Sequence, residues 1–261
     1  MPQRLLFYRN TVSRWITDRT ASVLIVAGGA NDRDVFAALG FSNVVISNVD
    51  DQPQGDSTAP YLCSRQNVEA LTFPDLAFDY VVVHAGLHHC HSPHRGLLEM
   101  YRVARRAIIA FEPPDNALVR IMQRLGLAQV YECTAVRCNQ GRRGGVNNSA
   151  IPNYIFRWTE HEIEKVISSC APIAAHRFHY AYGADEPTPE FVARSPIRRL
   201  LITLAKPAYR LWGLCFPRQQ NLFGFMIEKP VLTRDIHPWL VIDGAEVKLN
   251  PRWGEQDSPH R

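Results

Sequence analysis

The chain has 261 residues and a net charge of +4, a length that predicts one large domain. Its 46% apolar and 21% charged residues fit a folded globular protein and exclude a disordered chain, a coiled coil and a collagen-like repeat. The longest apolar runs, Val23–Ala27 and Leu200–Ala205, fall short of the roughly 20 residues of a membrane span, and Arg4, Arg9 and Arg14 interrupt any signal-peptide core. Of the 29 basic residues only Lys165, Lys206, Lys229 and Lys248 are lysine. With no basic–aromatic patch, the sequence predicts no nucleic-acid partner. The six cysteines form no CxxC pair and read as reduced thiols of a cytoplasmic protein.

In chain order, Ser22–Ala27 reads as a buried strand that ends in a turn at Gly28-Gly29. Asn31-Asp32-Arg33-Asp34 opens a helix whose apolar face is Val35–Leu39, and Gly40 stops it. Val44–Ile46 is the second strand, closed by Asn48-Val49-Asp50-Asp51. Phe78–Val83 is a strand ending at His84, Arg95–Arg105 a helix, and Ala107–Phe111 a strand closed by Glu112-Pro113-Pro114. Strands separated by helices predict a parallel sheet with helices on both faces. Ligands then bind beyond the carboxyl ends of the strands. Here those ends carry Gly28-Gly29, Asn48–Asp50, His84 with His88-His89, and Glu112.

Further on, Leu118–Gly126 reads as a helix and Gly141–Asn148 as a polar, glycine-rich loop. Pro152–Trp158 is dense in aromatics and is either core or the wall of an acceptor pocket. Thr159-Glu160-His161-Glu162 caps a helix running to about Ser169. Ile173–Tyr182 and Leu222–Ile227 read as strands. Between them Ile197, Leu200, Leu201, Leu204 and Ala208 mark a helix face, with a break expected at Pro207. From Phe191 to Arg218 basic residues stand at 194, 198, 199, 206, 210 and 218, with no Asp or Glu. This insertion is either a helix pair packed on the sheet or lidding the site, or a membrane-surface helix giving peripheral contact through 191–218. The tail from Pro230 is Pro-rich and is expected to be loosely packed.

Several of these segments resemble class I S-adenosylmethionine-dependent methyltransferases, the type 11 group in particular. Val23–Gly29 is similar to their glycine-rich first motif, and Asn67–Pro74 to their D-A-E-x-L-P-F segment. Phe78–Val83 with Leu87-His88-His89 resembles the fourth-strand motif, and Leu97–Val103 the L-x-E-x-x-R-V helix. Ile108–Glu112 resembles the fifth strand. The resemblance spans residues 21–115. It implies a Rossmann-like fold, a mostly parallel sheet ending in an antiparallel strand pair, with a helical insertion. It divides a single domain into a cofactor-binding core (20–115), a substrate-side segment (116–172), an insertion (184–220) and a tail (230–261). It also implies S-adenosyl-L-methionine as cofactor.

The implied cofactor residues are Ala27, Gly28, Gly29, Ala30, Asp32, Asn48, Asp50, Asn67, Val68 and His84. Three departures stand out: Ile25 where the family has an acidic residue, Ala27 where it has Gly, and Asn48 and Asn67 where it has carboxylates. Asp32 or Asp34 would then supply negative charge near the cofactor. The helix opening at Asn31 offers amides to the cofactor's carboxylate. Five of the ten histidines lie between His84 and His94. They are a metal site, structural groups, or substrate-facing groups with His88 or His89 as general base. The sequence points to His88 and His89 as catalytic, Tyr154 and Trp158 as acceptor-binding, and no metal. The expected acceptor is a small molecule methylated on a hydroxyl, such as a sugar. Two alternatives stay open: an inactive cofactor-fold interaction module, and a nicotinamide-dependent oxidoreductase, against which Gly28-Gly29-Ala30-Asn31 fails to complete G-x-G-x-x-G.

Overall fold

The structure is a computed structural model that describes residues 1–50, 58–185 and 196–253. Asp51, Phe191, Arg194 and the last eight residues of the tail lie outside the described residues. Strands β1 (Val23–Val26), β2 (Val44–Asn48), β3 (Leu62–Arg65), β4 (Phe78–His84) and β5 (Ala104–Glu112) pair in parallel. β6 (Arg177–Gly183) and β7 (Leu222–Glu228) complete one sheet of order β3-β2-β1-β4-β5-β7-β6. β7 is antiparallel to both its neighbours. β6 therefore runs in the direction of β1 to β5. The chain leaves β6 and enters β7 at the rim formed by the carboxyl ends of the parallel strands.

Every residue of β1 is buried, because helices cover both faces of the sheet. That is why the strand reads as an unbroken apolar run. On one face, α1 (Gln3–Trp15) and α2 (Ala30–Ala38) pack through Tyr8, Val12, Val35 and Phe36 onto Ile25, Ile46 and Ile109. On the other, α3 (Pro93–Val103) and α6 (Glu160–Cys170) pack through Leu97, Met100, Ile163 and Ile167 onto Leu24, Val81, Val83 and Ile108. The i, i+3 or i, i+4 spacing within α1, α3 and α6 puts each of those pairs on one helix face. A fully buried Leu97 or Met100 contributes roughly 1.5–3 kcal/mol. Capping fits the sequence: the Ser92 hydroxyl accepts from Arg95 N ahead of Pro93, and the Thr159 hydroxyl accepts from Glu162 N.

Two of the motif segments interlock. Glu99 of α3 accepts from Leu71 N at 2.9 Å, and Arg102 donates to the carbonyls of Leu71 and Phe73 and to Asp75. Glu69 accepts from His91 N and Ser92 N. The acid and the arginine of the helix motif thus fasten the 67–75 segment beneath the sheet rim.

Five regions differ from the sequence expectation. β3 and α1 are not legible in the sequence: β3 is a polar edge strand with Leu62 exposed, and α1 carries four arginine or asparagine positions on its outer face. α2 opens at Ala30 rather than Asn31, because Asp32 Oδ2 accepts from Gly29 N at 2.9 Å and makes Gly29 the cap. The insertion holds one helix, α7 (Pro196–Cys215), which runs through Pro207 without a break. The tail is folded: β8 (Leu240–Asp243) and β9 (Glu246–Leu249) form a hairpin, and Trp239 stacks on His237 at 4.2 Å and meets Trp253 edge-on. α4 (Ala117–Arg124), α5 (Cys133–Cys138) and the short α8 (Leu232–Asp235) complete the elements.

Candidate active site

A cavity of about 270 Å³ opens at the carboxyl ends of β1, β2 and β4. Its floor is made by Ala27, Ala85 and Gly86, and its side by Asn48, Val49, Asp50, Gln66, Asn67 and Val68. His89 and Cys90 close one end, and Ala135, Gly144, Gly145, Asn147 and Asn148 form a roof. An adjoining cleft of about 530 Å³ shares Asp50, Gln66, Asn67 and the two roof asparagines.

The floor is a pair of tight turns. Ala27 (φ 51°) and Ala85 (φ 58°) both occupy the left-handed region, at roughly 1–2 kcal/mol each for a residue with a Cβ. The turns touch: a Cβ on Gly86 would stand 2.6 Å from the Ala27 methyl. Gly28 and Gly29 lie outside the lining. A Cβ on Gly28 would meet Ile25 and Ile46 at 2.8 and 3.0 Å, so this glycine is fixed by packing between β1 and β2. Gly29 has open space around it.

Around the side wall, the Asn48 side chain is engaged by its own turn: Nδ2 donates to Gly28 O and Oδ1 accepts from Val49 N. Asp50 is the only carboxylate lining the cavity among the described residues. It accepts from Asn148 Nδ2 and lies 4.0 Å from Arg143. Asn67 Oδ1 accepts from Glu69 N.

Behind Gly86 lies a buried ionic group. Glu112 Oε1 accepts from Gly86 N and Leu87 N, both at 2.8 Å, and Oε2 sits 2.6 Å from His88 Nδ1. His88 Nε2 is 3.1 Å from Glu132. Burial opposes a charge on His88, but the two carboxylates outweigh it and push its pKa up to about 9. Burial opposes ionisation of Glu112 and Glu132 too; His88 and the hydrogen bonds hold Glu112 below its ordinary range and Glu132 at about 2. The cluster is therefore carboxylate–imidazolium–carboxylate at neutral pH. His89 differs. Its side chain is 27% exposed, burial and the charged His88 lower its pKa, and its Nε2 lies 3.5 Å from Glu132, outside ordinary hydrogen-bond range. It is neutral at pH 7 and faces the cavity. His88, His89 and Glu132 have ligand atoms within 4.8 Å of one another, a spacing that also suits a divalent cation. Both nitrogens of His88 are already engaged by carboxylates.

The structure brings together Ala27, Asn48, Asp50, Asn67, Val68 and His89 of the expected set. It places others elsewhere. Asp32 is buried under α1, where it accepts from the Tyr8 hydroxyl at 2.9 Å; burial lifts its pKa to about 6. Asp34 pairs with Arg33 on the surface, and Ala30 is exposed outside the cavity. His84 stacks on Tyr8 at 4.3 Å on the opposite face of the sheet, where burial and Arg4 lower its pKa to about 3. Trp158 is 1% exposed and packs on Phe225 and Phe156, so it is core; Tyr154 is exposed against Tyr131, outside the cavity. His88 is a charged, buried link and not a free base. Sequence reasoning placed Glu112 at the rim, as an acid ending an apolar strand, but gave it no role. It also missed Gly86, Gln66 and Glu132; Glu132 reaches the site only through the fold.

Residues 35–109 match the methyltransferase-domain family. No curated protein matches the chain. Among solved structures, an S-adenosylmethionine-dependent methyltransferase from Thermotoga maritima superposes with a TM-score of 0.51 at 11% identity, covering 87% of this chain and 89% of that chain. A Pyrococcus horikoshii protein gives 0.53 at 12% identity over 88% and 90%. An S-adenosylmethionine-dependent methyltransferase from Archaeoglobus fulgidus gives 0.51 at 8% identity over 86% and 94%. At these identities the structural likeness carries the fold alone. The cavity lies where open α/β sheets bind ligands, beyond the carboxyl ends of β1, β2 and β4. Sheet order and cavity position agree with the methyltransferase-domain match over residues 35–109.

Proposed function

We propose that the protein transfers a methyl group to a hydroxyl of a small-molecule acceptor such as a sugar, with His89 as the base. When bound, S-adenosylmethionine supplies the activated methyl group. The donor set fits it: one carboxylate (Asp50) and the carboxamides of Gln66 and Asn67 lie beside Val49 and Val68, a mix suited to ribose hydroxyls and an adenine ring. Since the Asn48 amide is engaged by its turn, Asp50 is the residue assigned to the ribose.

The observation that carries the reading is the contrast between neighbouring imidazoles. A general base must be unprotonated at working pH and within reach of the substrate. His89 meets both conditions; His88 is protonated and enclosed. In this scheme Nε2 of His89 takes the hydroxyl proton, and the ionised Glu132 beside it stabilises the resulting imidazolium. His88 holds Glu132 in place.

The test is transfer of a labelled methyl group from S-adenosylmethionine to polyhydroxylated and amine acceptors. His89→Ala is expected to lower kcat by about 10²–10⁴-fold while cofactor affinity stays nearly unchanged. Because the His89 pKa lies below its ordinary value of about 6.5, the rate stays flat down to that pH and falls only below it. Turnover at the wild-type rate in His89→Ala, or label found only on nitrogen, overturns the proposal. Activity lost to a chelator and restored by a divalent cation would replace the base with a cation held by His88, His89 and Glu132.

A further inference from the structure

Among the described side chains, α7 is fastened to the body at Tyr209 and Gly213. The Tyr209 hydroxyl donates to Asn221 Oδ1 at 3.0 Å, Gln220 Nε2 donates to Gly213 O, and Gly213 is buried. These two positions, four apart, define the inner face. The outer face carries Leu200, Leu204, Pro207, Leu211 and Leu214, spaced three or four residues apart in one stripe. The leucines are 59, 67, 64 and 78% exposed. Trp212 and Phe216, off the stripe toward the inner face, pack on each other at 4.4 Å and are both exposed. Single exposed leucines are ordinary; a continuous stripe of four on one helix is not.

The charge carried by these stretches is of one sign, although Arg120 pairs with Asp115 and Arg218 with Glu160 beside them. No acidic residue occurs from Phe191 to Ile227, and none from Asn116 to Tyr131. The second stretch is α4, which adjoins the end of the insertion: Asn116 Nδ2 donates to the carbonyls of Arg218 and Gln220, and Leu118 N donates to Gln219 Oε1. α4 exposes Ile121 and Leu125 and carries Arg120 and Arg124. α7 is not apolar enough to span a bilayer. Since β6 ends and β7 begins at the sheet rim that bears the cavity, the helix stands on the active-site side of the molecule.

We infer that α7, with α4 beside it, docks this protein on the surface of an anionic lipid bilayer. The leucine stripe enters the interface, and the excess of basic over acidic positions in the two stretches favours a surface of lipid phosphates. The charge argues against a second copy as the occupant, since two such faces would bring like charges together. Docking turns the carboxyl-end rim toward the membrane, where an acceptor with a lipid-embedded part would be delivered. The inference does not depend on His89 as base.

Sedimentation of the full chain with phosphatidylcholine vesicles, with and without phosphatidylglycerol, tests it. Binding is expected to anionic vesicles, to weaken with added salt, and to be weaker by at least about tenfold on the neutral ones. The double variant Leu204→Glu, Leu211→Glu is expected to lose about ten- to hundredfold of the anionic-vesicle affinity, with thermal midpoint and cofactor affinity unchanged. No wild-type binding to anionic vesicles at low salt, or equal binding by neutral ones, overturns the inference without needing any variant. A wild-type dimer that the double variant splits, with no vesicle binding, assigns the stripe to a second copy instead.

Discussion

The rim and the roof of the cavity are built in different ways. The rim, residues 67–103, is held by short-range motif residues: Glu69 and Arg102 each satisfy two backbone groups and Glu99 one, within a segment of under 40 residues. The roof, residues 131–151, has few buried apolar contacts, with Val136 its one fully buried hydrophobic residue. It is a chain of left-handed and glycine positions: Gln140, Gly141, Gly144, Asn147 and Asn148 all have positive φ. What joins it to the rim is His88. Its ring binds Glu132 of the roof and Glu112 of the rim, while its carbonyl accepts from Asn153 Nδ2 at 2.9 Å. The same site thus has one wall fixed by local sequence and one attached across the chain, through the buried ionic link at His88 and the Asn148–Asp50 hydrogen bond.

The sharpest way to break this arrangement is Glu112→Ala. It strips the partners from Gly86 N, Leu87 N and the His88 imidazolium together. Removing one member of a buried ion pair typically costs about 3–5 kcal/mol. Denaturant unfolding should report a loss of that order, with cofactor affinity falling as well. A loss near zero would mean the rim stands without the cluster.

A gentler probe is pH. The His88 pKa is raised from about 6.5 to about 9, so its contribution is fully present below pH 6.5 and is lost as pH rises through about 9. The expected loss of stability between pH 7 and 10 is on the order of a few kcal/mol. His88→Asn should flatten that part of the profile. The carboxylates act at the other end: the stability from Glu132 is present above its ordinary range and is lost as pH falls toward about 2. The smallest effect is Ala27→Gly, which relieves the left-handed alanine in the floor. A gain of about 1 kcal/mol is expected, read as a rise in thermal midpoint of roughly 2–4 °C. A loss would mean the Ala27 methyl contributes more through its contact with Gly86 than its conformation costs.

The rim was legible because its chemistry is local. Apolar runs, a proline-led helix start and the Glu99/Arg102 pair lie close in sequence and leave a periodic trace. Asn48, Asp50 and His89 stand at or just past strand ends, whereas Asn67 and Val68 came only from the resemblance of the 67–74 segment to a methyltransferase motif. The roof left little trace, since Glu132 and Asn153 meet His88 across 44 and 65 residues and neither sits in a pattern. Asp32 and His84 were misplaced for a related reason. Both stand at the correct strand and helix ends, but α1, unseen in the sequence, covers them from the opposite face through Tyr8. Trp158 looked like a pocket residue because aromatic density does not separate core from wall.

The ionic link has a further effect through its field. With His88 protonated and both Glu112 and Glu132 ionised, the cluster sums to one unit of negative charge. That charge is held largely out of water directly behind the cavity floor, where screening by salt is weak. The potential it projects through Gly86 and His89 favours a cation over an anion in the cavity. Small anions of the cell are thereby kept from competing for the site, although the chain as a whole is positive.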